Sequence, residues 1–301
     1  MTELSEIRKV VSERIVSKIA EKAHEIKISA KSPIGIFDSG VGGITTLKEI
    51  IKELGSEDVI FFADTARVPY GGRSAKEIIN INYEILDYLI EQGTKLIIMA
   101  CGTSSSIAYP VVKDKYKIPI IGLVGPGSRA AARATRSGKI GLIATVGTVE
   151  SGAFQREIKE LKAAAEVYAQ ACPLFVPLIE GGFIEAEETG RVAKEYLKPL
   201  IESKVDTLIL GCTHYPHLRS IIQEIMGSEV VLIDPSEEAV LDAKALLKRK
   251  DLLVSKSSPA NYTYFVSGSV AQFKELASKL LGRAVTAIHK VNLVAKTAPI
   301  E

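Results

Sequence analysis

Two cysteines of this sequence stand at the ends of two similar apolar runs. Lys95-Leu-Ile-Ile-Met-Ala leads into Cys101, and Thr207-Leu-Ile-Leu-Gly leads into Cys212. Short apolar runs of this kind predict buried strands, so each strand should deliver one thiol at its carboxyl end. Hydroxyl groups, a helix start and an imidazole follow within residues 102–106 and 213–215. Such surroundings can lower a thiol pKa and make each cysteine a candidate acid or base.

The third cysteine, Cys172, precedes Pro173 in an apolar stretch and has no polar loop of this kind. We predict that it is a small core residue, as free cysteines usually are. Three cysteines are too few and odd in number for a disulfide framework. No CxxC pair is present and His214 and His217 are the one close histidine pair, so no metal site is predicted.

A glycine-rich turn, Asp38-Ser-Gly-Val-Gly-Gly43, lies between an apolar run and a helix-like segment. Strand-turn-helix loops often bind phosphate at the helix start. This one matches neither GxGxxG nor GxxxxGK[ST], and an aspartate at the strand tip would repel a phosphate. Asp38 is better suited to an ammonium group, with Ser39 and backbone N–H groups available for a carboxylate. Capping of the next helix by Asp38 is the alternative interpretation.

A second loop, at residues 64–72, follows the next apolar run and is rich in turn formers. It contains Asp64, Tyr70 and Gly71. Taken alone, it would be an ordinary surface connection. Together with the Asp38 turn it predicts polar groups at one edge of a sheet.

Apolar runs alternate with helix-like segments from residue 34 to residue 233. This alternation predicts parallel sheets in an α/β fold, whose ligands bind beyond the carboxyl ends of the strands. We predict a helical extension at residues 1–32, a first domain at residues 33–125 plus 234–301, and a second domain at residues 126–233. The two cysteines would then face each other across a cleft between the domains.

The composition excludes several classes of protein. With 47% hydrophobic and 25% charged residues, the chain is typical of a globular protein. A formal net charge of +2 gives no basic footprint for nucleic acid. No stretch approaches the roughly 20 apolar residues of a membrane helix, and residues 1–30 lack the apolar centre of a signal peptide. We predict a cytoplasmic protein with neither nucleic-acid nor membrane partners.

In combination, the motifs resemble those of the glutamate racemases in the aspartate/glutamate racemase superfamily. Four motifs carry the resemblance, at residues 34–43, 62–71, 100–103 and 210–216, and two weaker ones lie at residues 143–148 and 177–180. The resemblance implies two pseudo-symmetric parallel-sheet α/β domains, an active site in the cleft between them, no cofactor and a homodimer. It also implies that D-glutamate is made for peptidoglycan synthesis.

Carried over by position, the family's catalytic residues fall on Cys101, Cys212, Asp38, Glu180 and His214. Its substrate contacts fall on Asp38, Ser39, Tyr70, Gly71, Gly102, Thr103, Thr145, Thr213 and His214. One thiolate would remove the substrate's α-proton while the opposite thiol returns a proton to the other face. The family's stereochemistry implies that Cys101 acts on the D-enantiomer and Cys212 on the L-enantiomer.

Two features depart from the family pattern. Gly102 stands where many members have asparagine, and we expect asparagine there to be tolerated structurally and to change substrate affinity. Residues 1–32 precede the family's usual start. Three alternatives stay open at this point: a racemase of aspartate or a hydantoin, a non-catalytic amino-acid-binding module, and a thiol redox protein.

Overall fold

The structure, a computed structural model, describes residues 28–255 and 259–293. The amphipathic helix predicted at the start of the chain falls on residues 1–27, outside the described residues, and residues 28–33 lead into the first strand without a helix. Within the described ranges, no helix is long and apolar enough to cross a membrane.

The strands of the described part form two sheets. Their bounds are β1 Ile34–Asp38, β2 Val59–Ala63, β3 Leu96–Met99, β4 Ile120–Ile121, β5 Lys139–Ala144, β6 Glu166–Ala171, β7 Thr207–Leu210, β8 Val231–Ile233, β9 Tyr262–Val266 and β10 Ile288–Lys290. A six-stranded sheet has the order β10-β9-β2-β1-β3-β4, and a four-stranded sheet has the order β6-β5-β7-β8. Every pairing is parallel. The predicted fold class, an α/β fold built on two parallel sheets, is confirmed.

Helices separate most of the strands. Their bounds are α1 Ile44–Glu53, α2 Ala75–Glu91, α3 Gly102–Ile107, α4 Tyr109–Val112, α5 Val124–Ala134, α6 Val146–Ser151, α7 Ala153–Leu161, α8 Phe175–Glu180, α9 Glu187–Glu202, α10 Arg219–Met226, α11 Pro235–Arg249 and α12 Val270–Leu281, with a 3₁₀ helix at Tyr215–Leu218. Helix α2 begins with a capping box, in which Ser74 and Glu77 each bond the other's backbone N–H.

The central strands are covered by helices on both faces, which is why they are continuous apolar runs. In β1, Ile34 and Ile36 pack on one face of the six-stranded sheet with α1, α11 and α12. Phe37 packs on the other face with α2. Strand β7 is buried along its whole length in the four-stranded sheet. The alternation of side chains along each strand therefore builds a core on both faces of the sheet.

The carboxyl ends of the two sheets face each other. The backbone N–H of Gly147, after β5, donates to the carbonyl of Gly71, after β2, at 3.0 Å. The Thr45 hydroxyl at the start of α1 donates to the Thr213 carbonyl after β7, also at 3.0 Å. The loops that follow the strands therefore meet across one cleft.

Several element bounds differ from the sequence prediction. The run at residues 118–123 forms only the two-residue strand β4, and the predicted strand at residues 95–100 is β3, Leu96–Met99. No strand was predicted after residue 234. In the structure, β9 pairs with β2 and β10 pairs with β9, so that both extend the six-stranded sheet. Two residues of β9 are buried and three are partly buried, and two of the three residues of β10 are exposed, so neither strand is a fully buried apolar run.

Candidate active site

Cys101 lies between β3 and α3, where it is the N-terminal cap residue of the helix. Its thiol donates to the Ser39 hydroxyl with Sγ and Oγ 3.8 Å apart. Ser39 follows β1, the strand next to β3. Two neighbouring strands of the six-stranded sheet thus bring Asp38, Ser39 and Cys101 together at their carboxyl ends, as predicted from the sequence.

The electrostatic setting of Cys101 opposes its ionisation. Burial raises the pKa of the thiol to about 12, and the charges of Asp38 and Cys212 add to the rise. The backbone N–H of Ser104 and the Ser39 hydroxyl act in the other direction but do not outweigh burial. The expectation that neighbouring hydroxyls and a helix start lower this pKa is therefore wrong, because desolvation of the thiolate is the larger effect.

Cys212 follows β7 and has a different neighbour. Its Sγ lies 3.7 Å from Nδ1 of His214. The other ring nitrogen of His214, Nε2, lies 2.8 Å from a carboxylate oxygen of Glu180, the last residue of α8. The structure therefore builds a carboxylate–imidazole–thiol series from three residues, two of which follow the same strand.

This series changes the charge of the histidine. Burial alone would lower the pKa of His214, but hydrogen bonds with Cys212 and Glu180 outweigh it and raise that pKa well above its usual value. The same pairing lowers the pKa of Glu180 despite its burial. The raised pKa favours the protonated ring of His214, which can donate to Glu180 through Nε2 and to the sulfur of Cys212 through Nδ1.

Asp38 acts electrostatically on Cys101 and on His214. One carboxylate oxygen accepts the backbone N–H of Gly43 at 2.8 Å. Gly43 is itself the N-cap residue of α1 and the helix has no side-chain cap, so the capping interpretation is wrong. The other oxygen is buried and has no hydrogen-bond partner among the described residues. Burial raises the pKa of Asp38, and the nearby charge of His214 offsets part of the rise. The second oxygen is available to accept a hydrogen bond from a ligand.

The predicted threonines meet across the cleft. Thr103, on α3, and Thr145, after β5, have their hydroxyl oxygens 3.0 Å apart. Thr145 also lies 3.0 Å from the hydroxyl of Thr148. Gly71 packs against Thr145, and Thr213 is held through its carbonyl by Thr45. Four of the predicted substrate contacts thus line the boundary between the sheets.

Tyr70 is held by a hydrogen-bond network that was not predicted from the sequence. Its hydroxyl donates to Asp64, which also accepts from Arg67 at 2.6 Å and from Ser267 at 2.6 Å. Arg67 in turn pairs with Glu84 on α2 at 2.5 Å. The hydroxyl proton of Tyr70 is therefore already used in the hydrogen bond to Asp64. The aspartate and tyrosine of the loop were noted from the sequence, but their pairing depends on the folded turn.

Gly102 has no room for a side chain. A Cβ atom there would overlap the backbone carbonyl oxygen of Gly211, the residue before Cys212. The obstacle is backbone and cannot rotate away. The loops that carry the two cysteines touch at this glycine, so a side chain here would force them apart. The expectation that asparagine fits without structural change is therefore wrong.

Cys172 is fully buried in the core of the four-stranded sheet. Its thiol donates to the Gln170 carbonyl at 3.6 Å, and its own carbonyl accepts the Tyr215 hydroxyl at 2.9 Å. The prediction of a core cysteine is confirmed. Among the described residues, no group of three histidine, cysteine or acidic side chains could hold a metal ion.

A family model described as Asp/Glu/Hydantoin racemase matches residues 36–243, which contain both thiols and most of both sheets. The chain belongs to this racemase family. Among its curated relatives is a glutamate racemase from Geobacter metallireducens, 44% identical over 263 residues, covering 87% of this chain and 97% of that protein. The resemblance to glutamate racemases read from the sequence motifs is confirmed.

Solved structures of racemases share the same fold. A glutamate racemase isoform from Bacillus anthracis has a TM-score of 0.84 and 35% identity, with 87% of this chain and 98% of that chain covered. A glutamate racemase from Francisella tularensis, solved in complex with D-glutamate, has a TM-score of 0.82 and 36% identity, with 88% and 98% covered. The racemase fold therefore extends over nearly the whole length of these relatives.

Proposed function

We propose that this racemase interconverts L-glutamate and D-glutamate with Cys101 and Cys212 as its two proton carriers. The observation that carries the proposal is the position of the two thiols. They follow equivalent strands of the two facing sheets, they influence each other electrostatically, and the unpartnered oxygen of Asp38 lies in the same buried region. The high identity to curated glutamate racemases supports glutamate over the other substrates of the family.

Each turnover moves two protons. The thiolate on one side takes the α-proton of the substrate, and the electron pair of the broken C–H bond passes into the substrate carboxylate. The thiol on the other side then gives its proton to the opposite face of the planar carbon. The enzyme ends with its thiol and thiolate exchanged, so the next turnover in the same direction requires the proton to return.

The planar intermediate must be stabilised by the protein. Hydroxyl and N–H donors around the substrate carboxylate serve this purpose, and they act strongly in a site that excludes water. We assign Ser39, Thr103, Thr145 and Thr213 to this role, together with the backbone around Gly71 and Gly102. We assign the second oxygen of Asp38 to the substrate ammonium group. A cation there would offset the charge that raises the pKa of Cys101.

Under this proposal the reaction uses no organic cofactor or metal. Two opposed thiols supply both proton transfers, and the oriented donors replace an external electron sink. We also propose that the protein is a cytoplasmic homodimer whose D-glutamate supplies peptidoglycan synthesis, as family membership suggests. Light scattering of the purified full chain would test the dimer.

We propose the same domain limits for the folded protein: residues 33–125 plus 234–301, and residues 126–233, with residues 1–32 as a separate extension. The position of β9 and β10 beside β2 supports assigning the end of the chain to the first domain. Limited proteolysis followed by mass spectrometry would test these limits, with cleavage expected between the proposed units.

The function is tested with purified full-length protein and either enantiomer of glutamate, followed by chiral chromatography and without added cofactor. Both enantiomers should reach a 1:1 mixture, and in deuterium oxide the α-position should gain deuterium. Aspartate and hydantoins serve as competing substrates. Faster turnover of either would contradict the glutamate assignment, and no α-proton exchange with any of them would contradict catalysis.

A further inference from the structure

The glycine turn after β1 touches the acid–base groups of the other sheet. The backbone N–H of Val41 donates to the same oxygen of Glu180 that pairs with His214, at 3.2 Å. A Cβ atom at Gly40 would overlap that oxygen, and one at Gly42 would overlap Nδ1 of His214. The turn is therefore a flat surface on which the imidazole and carboxylate rest.

Thr45, one turn further along, holds the loop that contains Cys212. Its hydroxyl donates to the Thr213 carbonyl at 3.0 Å and lies 3.4 Å from Nε2 of His217. Burial and the charge of His214 lower the pKa of His217 to about 3, so this ring is neutral. Because the only hydroxyl proton of Thr45 is used on Thr213, His217 must donate through Nε2–H.

The contacts of Cys101 come from its own sheet. Ser39 follows β1, Ser104 lies on the helix after β3, and Asp38 ends β1. In contrast, Glu180, Cys212 and His214 all follow elements of the four-stranded sheet, while the turn against which they rest belongs to the six-stranded sheet. Among the residues that the structure describes, hydrogen bonds across the cleft support the Cys212 side, which consists of Cys212, His214 and Glu180, whereas the hydrogen bond of the Cys101 thiol stays within its own sheet.

From these contacts, and on the basis of the function proposed above, we propose that residues 40–45 are the positioning element of the Cys212 side. They hold His214 and Glu180 against Cys212 when the two sheets close. The two thiols are only 5% and 6% exposed, so a substrate the size of glutamate must enter through an opening of the cleft. Opening withdraws this support from the Cys212 side and leaves the partners of Cys101 in place.

The test uses half of the reaction, because elimination requires proton abstraction by one thiol only. With 3-chloroglutamate, loss of the α-proton and chloride gives an enamine, which hydrolyses to 2-oxoglutarate and ammonium. The Gly42→Ala variant should slow elimination from the L-analogue about 100-fold and from the D-analogue less than about threefold, as expected for small displacements of a catalytic group. Gly72→Ala is the control, because a Cβ atom at Gly72 has no neighbour within 4 Å.

A second variant removes the hydroxyl of Thr45 without changing its shape. Thr45→Val should slow elimination from the L-analogue about tenfold, and Thr45→Ser should restore it. The matched control is Thr46→Val, since Thr46 is also buried and donates to Ser236 at 3.0 Å. Thr45→Val keeps the test decisive if Gly42→Ala does not fold.

The outcomes separate this inference from the proposed function. A selective loss with the L-analogue, in variants that still act on the D-analogue, supports the positioning role. Equal loss with both analogues, or no loss with either, overturns it. If the unmodified protein itself neither racemises glutamate nor eliminates chloride, the proposed function fails instead.

Discussion

The Cys101 and Cys212 sides occupy matching places in two similar sheets, yet they are built differently. Cys101 has a hydroxyl and a helix start beside it, and burial raises its pKa to about 12. Cys212 has the imidazole of His214 beside it, which pairs with Glu180 and whose pKa is raised. A pseudo-symmetric fold can therefore deliver two thiols to one cleft and still give each a different chemical setting.

This difference is hidden in the overall reaction. The two enantiomers of glutamate have equal free energies in water, so the equilibrium constant is one. It follows that kcat/KM must be the same in both directions, whatever the two sides are like. Differences between the sides can be seen only in kcat, in KM or in half-reactions, and the predictions below use these quantities.

The largest effect is expected from removing either thiol. Cys101→Ser and Cys212→Ser should each fold and lose racemisation by about a thousandfold or more, because a serine hydroxyl is a far weaker acid and cannot serve as the base. Chiral chromatography measures the loss. Cys172→Ser is the control and should retain most of the activity, since Cys172 is a core residue. An inactive Cys172→Ser variant that is fully folded would contradict the assignment of the thiols.

The second effect is the pH dependence of the Cys101 side. With its pKa raised to about 12, the thiolate fraction of Cys101 should increase about tenfold per pH unit across the neutral range. The kcat/KM for elimination from D-3-chloroglutamate should therefore rise with pH, because this quantity reports on the free enzyme. A flat profile between pH 6 and pH 9 would show that Cys101 is already ionised.

The third effect is expected from removing the charge of Glu180, which pairs with His214. Because the pKa of His214 is raised, its charge is present below that pKa and is lost as the pH rises through it. Elimination from L-3-chloroglutamate should thus decline only at alkaline pH. In Glu180→Gln the decline should move to lower pH, and the rate at pH 8 should fall by about tenfold, while the D-analogue is affected less. An unchanged profile would mean that Glu180 does not set the charge of His214.

The smallest effect concerns the contact between the two loops. Gly102→Ala places a methyl group against the Gly211 carbonyl, and opening of the cleft can relieve the overlap without unfolding either sheet. We expect racemisation to fall by about three- to tenfold, both half-reactions to weaken together, and stability to change by less than about 1 kcal/mol. Large destabilisation with unchanged kinetics in thermal unfolding would show that Gly102 serves packing alone.

The strands that carry the thiols could be predicted from the sequence, because a strand buried on both faces is a continuous apolar run. The polar residues at their carboxyl ends followed from the same topology. The imidazole of His214 was indicated by its place after Cys212, whereas Glu180 came from the family resemblance, since nothing in the spacing of the two residues predicts that they meet. The contact between His214 and Gly42 could not be predicted, because it depends on how the two sheets face each other.

The error in the pKa of Cys101 has a related cause. Neighbours in sequence suggested stabilisation of the thiolate, but burial of Cys101 in the folded protein decides the direction. Similarly, Gly102 looked permissive because a loop residue usually is, whereas its obstacle lies more than one hundred residues away at Gly211. Local sequence predicts which groups are present at a site, whereas tertiary packing sets their pKa values and the space around them.

Each thiol is assigned to one face of the substrate, and elimination by the two serine variants tests this assignment most directly. Cys101→Ser should still release chloride from L-3-chloroglutamate and not from the D-analogue, because Cys212 survives. Cys212→Ser should show the opposite preference. Loss of both activities in either variant, or equal rates with both enantiomers, would contradict the assignment of one thiol to each face of the substrate.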